Sequence, residues 1–139
     1  MMSYKTLEHA TDAIIEVTAD NLKNAFKIAG ISVIETILDI SKVEEKESKQ
    51  IIVKGKDLKY LLYNWLEEVI ILTITDGFAG KRILLQISEA EEWEITAEIF
   101  GEDVNLSKHG FKVEIKSPTF HDMRIEQNGN VVMRYLLDL

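Results

Sequence analysis

The sequence predicts an α+β domain in which a largely antiparallel sheet carries two main helices packed on one face. Three observations predict it. Two segments repeat apolar residues at three- and four-residue steps, the period of a helix with one buried face. Elsewhere apolar and polar residues alternate with period two, as in strands with one wet side. The elements run strands, helix, strand, helix and then a series of strands, with no internal repeat and no low-complexity stretch.

In chain order, Tyr4 to Leu7 and Ala13 to Val17 read as short strands around a polar turn, Glu8-His9-Ala10-Thr11-Asp12. Asp20 to Leu38 places Leu22, Ala25, Phe26, Ala29, Val33 and Ile37 on one helical face, with Thr18 or Asp20 as N-cap. Lys42 to Ser48 is a charged connection and Gln50 to Val53 a short strand. A second helix starts near the capping residue Asp57 and runs through Leu58, Leu61, Leu62, Trp65, Leu66, Val69 and Leu72 until Asp76-Gly77 stops it. Its broad apolar face fits packing against a sheet. Asp76 to Arg82 holds two Gly and a Lys at a spacing too short for a phosphate-cradling loop and reads as a turn. Glu89-Ala90-Glu91-Glu92 reads as a solvated hairpin loop.

Glu92 to Phe100 alternates, with Trp93, Ile95, Ala97 and Ile99 on one face and Glu94, Thr96 and Glu98 on the other. Phe111, Val113 and Ile115 alternate with Lys112, Glu114 and Lys116, which predicts a strand with both lysines on one face. Pro118 then marks an edge, a bulge or a strand end. Asn128-Gly129 fits the positive φ angles of a type I′ hairpin turn, and its second arm, Val131 to Leu139, places the terminal carboxylate within the fold.

Composition sets the functional limits. The 139 residues, 46 % apolar with one Pro, are expected to form a single domain over 1–139. The absence of Cys removes thiolate catalysis, disulfides and cysteine-held zinc, so any metal must sit on oxygen or imidazole. Sixteen basic against 24 acidic residues give a net charge of −8, which opposes direct nucleic-acid binding and favours a partner protein or a cation. The polar start and the short apolar window Val69 to Ile74, against the roughly 20 residues that span a bilayer, point to a soluble, cytoplasmic protein without membrane contact.

Asp12 lies in a turn between strands, and Asp138 and the carboxylate of Leu139 end the last one. If the terminal strand lies beside the N-terminal strands, these oxygens converge, and a hard divalent cation would relieve their repulsion. An Asp in a turn also caps its own backbone, and a penultimate Asp is also simply exposed, so the residues leave both readings open. His9, His109 and His121 are scattered, without the i, i+4 pair of a helical zinc site, and read as surface or hydrogen-bonded residues. Lys116 stands at a strand end, where a lysine is either solvated or positioned to meet a phosphate or an acid. No nucleophile, base and oxyanion group can be assembled, which disfavours a free-standing hydrolase.

Leu7-Glu8-His9-Ala10-Thr11-Asp12 resembles the opening Leu-Glu-His-Thr-Ala-Asp signature of the archease family. The likeness continues in Asp57-Leu58 through Trp65-Leu66-Glu67-Glu68, in Gly101-Glu102 followed by Lys108-His109, in Val113 to His121, and in the ending Leu137-Asp138-Leu139. Each motif is short; their order and spacing along nearly the whole chain make the resemblance specific. It implies a small α+β accessory protein that activates the tRNA-splicing RNA ligase by promoting its guanylylation and multiple turnover and by broadening its nucleotide choice. It further implies a divalent cation, calcium first and magnesium, manganese or zinc as alternatives, held by Asp12, Asp138 and the main-chain oxygen of Leu139. A functionally required lysine falls on Lys116, and His9 and His121 take either a supporting or a purely structural place. Two departures stand out: Ala10-Thr11 reverses the family order, and Pro118 occupies a position that usually carries a backbone donor. The competing reading is a chaperone-like modulator of an RNA-modifying enzyme such as a tRNA methyltransferase, which requires an exposed apolar patch.

Overall fold

The structure, a computed structural model, describes residues 2–7 and 11–139, Leu7 by its backbone alone. The predicted turn residues Glu8, His9 and Ala10 lie outside the described residues. The elements are β1 (Ser3–Leu7), β2 (Asp12–Ala19), α1 (Leu22–Ile37), β3 (Glu47–Gly55), α2 (Leu58–Ile70), β4 (Phe78–Glu89), β5 (Trp93–Asp103), α3 (Leu106–His109), β6 (Ser117–Asn128) and β7 (Asn130–Asp138).

The strands pair antiparallel throughout, as expected, but they divide into two sheets: β1-β2-β7-β6 and β3-β5-β4. The two long helices pack on each other and each touches both sheets, α1 through β2 and β4 and α2 through β6 and β3. This is why both helices carry so many apolar residues. Trp65 of α2 is fully buried and its indole N–H donates to the carbonyl of Phe26 in α1 at 2.8 Å. The helices approach closely at Gly30, where a Cβ would stand 2.8 Å from both Trp65 and Ile83. Burial alternates along β2 and, except at the also buried Leu136, along β7, so Ala13, Ile15, Val17 and Ala19 and Val131, Met133, Tyr135 and Leu137 face the helices. The partners Asp12, Glu16, Arg134 and Asp138 therefore line the outer face.

Several expectations need correction. The N-cap of α1 is Asn21, not Thr18 or Asp20: its side chain accepts the Asn24 N–H at 2.8 Å, while Asp20 accepts from the Asn24 side-chain amide. Thr18 is held in the β2 ladder and cannot turn to cap. Asp57 caps α2 as expected, accepting from the Tyr60 N–H, and the helix widens into a π-helical turn at Ile71–Thr75 before Gly77, with φ 66°, ends it. Only Asp76-Gly77 of the expected turn is a turn; Phe78 to Arg82 open β4, whose bulge between Gly80 and Arg82 faces Gly101.

Phe111 to Lys116 is not a strand. Its period-two pattern has no ladder partner, because its donors go to a helix end and to a strand end: Lys112 N–H to the Ile37 carbonyl, 2.7 Å, and Lys116 N–H to the Asp138 carbonyl, 2.7 Å. The Ile37 carbonyl is one of the acceptors that the end of α1 leaves open. With no strand there, the alternation does not place Lys112 and Lys116 on a common sheet face, and the Lys112 ammonium instead reaches the Glu35 carbonyl. Pro118 lies in β6, an edge strand, where its missing N–H does not interrupt an inner ladder. The β6–β7 hairpin forms, but of its turn pair only Gly129 has positive φ, 81°, so the turn is not type I′. No helix among the described residues is long and apolar enough to cross a membrane.

Candidate functional site

Three strand ends meet at one end of the four-stranded sheet. The β2–β7 register places Asp12 opposite Asp138, and the β6–β7 register places Ser117 opposite the same Asp138. Leu139 N–H bonds the Thr11 carbonyl at 3.4 Å. That makes 11/139 the hydrogen-bonded pair, so Asp12 and Asp138 form the neighbouring non-bonded pair, in which Cα atoms stand about 4.5 Å apart and side chains are closest. Residues paired across a sheet share a face, so Asp12, Asp138 and Ser117 form one row on the outer surface. Both aspartates are half-buried, and Lys116 beside them is exposed.

The Lys116 N–H to Asp138 carbonyl bond ties the lysine's backbone directly to this row. Asp12, Lys116 and the adjacent pair Asp138-Leu139, far apart in sequence, are thus brought together. His121 is not part of the row. It sits in the irregular stretch of β6 between Thr119 and Arg124, its side chain 75 % exposed and 3.3 Å from Asp122. His9 lies outside the described residues. Ser117 is the member that sequence reasoning missed, because only the register shows which β6 residue faces Asp138.

Two carboxylates side by side on a sheet repel, and hard oxygen donors suit a divalent cation. Asp12, Asp138 and the Leu139 carbonyl are of the right chemical type, although among the described residues no cluster of three or more Asp, Glu or His side chains forms. Beyond the row the outer face carries the apolar pair Ile14–Leu136 and then charges: Arg134 pairs with Glu16 at 3.3 Å, and Lys5 with Glu16 at 3.5 Å.

A second polar cluster lies off the end of β5. Glu102, buried, accepts the Glu44 N–H at 2.8 Å, the Lys108 ammonium at 2.9 Å and His109 Nε2 at 3.0 Å. The Asn105 N–H donates to His109 Nδ1 at 2.9 Å, so Nδ1 is the acceptor and Nε2 carries the proton given to Glu102. The Lys108 bond, followed by those from the Glu44 N–H and His109, holds the Glu102 carboxyl well below the usual carboxylate range. Bonds to Glu44 and Glu102 raise Lys108 in turn. This cluster pins the start of the segment that ends at Lys116. The Gly101-Glu102 and Lys108-His109 motifs signalled it, since Asn105 caps α3 and returns His109 over Glu102.

Comparison with known proteins bears on the whole chain. Residues 4–139 match the profile described as the Archease protein family (MTH1598/TM1083). The chain belongs to the archease family. Among archeases, it is 34 % identical to the Pyrococcus abyssi protein archease over 128 residues, covering 91 % of this chain and 90 % of that one. The Sulfurisphaera tokodaii protein archease is 30 % identical over 140 residues and the whole of both chains. The solution structure of Methanobacterium thermoautotrophicum protein 1598 superposes with a TM-score of 0.85 at 25 % identity, covering 98 % of each chain. The archease fold thus extends over both sheets and the helices between them.

Proposed function

We propose that the chain is a cytoplasmic accessory protein that activates the tRNA-splicing RNA ligase, promoting its guanylylation and repeated turnover and widening its nucleotide choice. Membership of the archease family supports the reading, and one observation carries it: the ladder sets Asp12 against Asp138, with the Lys116 backbone bonded to Asp138. Guanylyl transfer develops negative charge on phosphate oxygens, and its acceleration comes from positioning and from cationic stabilisation. Lys116, exposed beside the carboxylate row, supplies a mobile positive charge at a fixed backbone position. Asp12, Asp138 and the Leu139 carbonyl would hold the divalent cation, calcium in the first instance, which when bound supplies Lewis-acid charge for phosphate oxygens. The net charge of −8 complements the basic RNA-binding surface of such a partner.

The test is single-turnover guanylylation of the cognate ligase with GTP, with and without the wild-type chain and the variants Asp12→Ala, Asp138→Ala and Lys116→Ala, each checked for folding by circular dichroism. Wild type is expected to raise the rate and the three folded variants to lose that increase. Full stimulation by all three, or none by wild type, refutes the proposal. The chaperone-like alternative gains nothing from the outer face of the three-stranded sheet: its exposed Ile52 and Leu84 face Thr96 and Glu98 across β5, so polar residues break the patch.

A further inference from the structure

Away from the carboxylate row, β6 carries a group of rings that the proposed chemistry does not use. Phe120 stacks on Tyr63 with centroids 4.4 Å apart and planes 8° from parallel, and Tyr60 tilts against it at 4.9 Å. The Lys56 ammonium lies 4.3 Å from the centre of the Tyr60 ring. Tyr60 and Tyr63 are three residues apart on α2, so the helix aligns them on one face. Phe120 comes from the irregular stretch of the edge strand, where Asp122 takes a left-handed φ of 56°. Although packed together, Tyr60 and Phe120 remain 41 % and 43 % exposed. They form a preformed apolar knob beside the exposed charges Lys56, Asp57 and Lys59.

We infer that the Phe120–Tyr60–Tyr63 cluster is the anchor by which this chain docks on the enzyme it activates, inserting into an apolar pocket about the size of a phenyl ring, with an acceptor placed for Lys56. The inference rests on the proposed function and adds its contact surface. Continuity is the first argument: the edge strand that begins at Ser117, opposite Asp138, reaches Phe120 three residues later, about 10 Å along an extended chain. The rings pack on α2 at the helix side of that edge and the row lies on the outer face, so a partner that grips the β6 edge from Ser117 to Phe120 meets both.

Ring geometry decides between protein and RNA as the occupant. A stacking platform for bases needs open ring faces and a cationic groove. Here one face of Phe120 is covered by Tyr63, Tyr60 leans on the same ring, and Lys56 sits over Tyr60. The chain as a whole carries a net charge of −8. What is left exposed belongs to rings already packed on one another. That is the form of a protein–protein hot spot, in which an aromatic anchor loses little further entropy on burial.

The experiment measures the affinity of the full chain for immobilised ligase, together with guanylylation by GTP without RNA and with joining of RNA ends. It compares wild type, Phe120→Ala, Lys56→Glu and the control Leu84→Ser on the far sheet. Phe120→Ala is expected to weaken binding at least tenfold, leaving the rate at saturating concentration unchanged. Lys56→Glu, which leaves the stacked pair intact, is expected to weaken it by a smaller factor, and Leu84→Ser not at all. Wild-type affinity in a folded Phe120→Ala chain overturns the inference, as does an equal loss in Leu84→Ser. A Phe120→Ala chain that binds and guanylylates as wild type but loses only RNA joining assigns the rings to RNA and also overturns it. Failure of wild type to bind removes the docking inference and the activator reading together. Binding without stimulation removes only the activator reading and leaves the Phe120 comparison to decide the anchor.

Discussion

Removing the hydroxyl of Ser32 should cost more than removing that of Tyr135, and removing both should cost less than their sum. Tyr135 of β7 is fully buried and its hydroxyl bonds that of Ser32 in α1; Ser32 also donates to the Ala29 carbonyl at 2.6 Å. With the Ser32 proton committed to Ala29, Tyr135 is the donor between the two hydroxyls. Burial raises the ionisation of the Tyr135 phenol, outweighing the Ser32 bond, so it stays a neutral donor through the physiological range. In Ser32→Ala a buried O–H loses its acceptor, a penalty of about 1–3 kcal/mol, offset by about 0.5 kcal/mol of helix propensity. Tyr135→Phe leaves Ser32 still bonded to Ala29 and should cost about 0.5–1 kcal/mol. In the double variant both polar groups are gone, and a coupling of about 1 kcal/mol is expected from the cycle. Urea unfolding of the four proteins at pH 7 measures it. A coupling below about 0.3 kcal/mol, or a Tyr135→Phe loss larger than that of Ser32→Ala, refutes this hydrogen-bond order.

Gly101→Ala would set a methyl carbon 1.8 Å from the Ala79 carbonyl oxygen at the β4 bulge, and should remove the cooperative thermal transition or lower its midpoint by more than ten degrees; a wild-type melt argues against the close approach. Glu102 is more acidic folded than unfolded, so its stabilisation is complete above the ordinary carboxylate range and declines as pH falls toward its folded value. Glu102→Gln should therefore be less stable than wild type at pH 7, with the gap narrowing in acid, and a gap that is constant with pH would exclude the ionic part. Tyr4 shows the opposite sign: burial, then the neighbouring Glu35 carboxylate, push its phenol up to about 12, so the stabilisation is present below pH 10 and lost as pH rises through 12. Absorbance titration at 295 nm should place Tyr4 lower in Glu35→Gln, and an unchanged midpoint would remove Glu35 as a cause.

The outer face carries the Asp12–Asp138 and Glu16–Arg134 pairs with the apolar Ile14–Leu136 pair between them, while the inner face is apolar. The inward residues of β2 and β7 pack toward the helices, while Asp12 and Asp138 lie on the opposite face of the sheet. Period-two alternation makes this separation possible, because adjacent residues serve opposite faces. The Glu102 cluster, by contrast, ties Glu44, Lys108 and His109 at the end of β5, where the chain leaves one sheet for the other.

The local signals identified the α+β class, the two long helices, the Asp57 cap, the β4–β5 loop around Glu91 and the terminal hairpin, since each rests on contacts within a few residues. The residues alone raised Asp12, Asp138, Leu139 and Lys116 with two readings open, and the family motifs implied which role each would take. Tertiary structure decided the rest. Whether Phe111 to Lys116 becomes a strand depends on a partner, and its N–H groups found the end of α1 and the Asp138 carbonyl instead. Whether the strands make one sheet or two depends on which edges pair, which no alternation records. The row Asp12–Asp138–Ser117 exists only through register, and a slip of one residue would turn each aspartate to the other face. Periodicity encodes which side of an element is apolar; the partner that covers it is chosen by long-range packing.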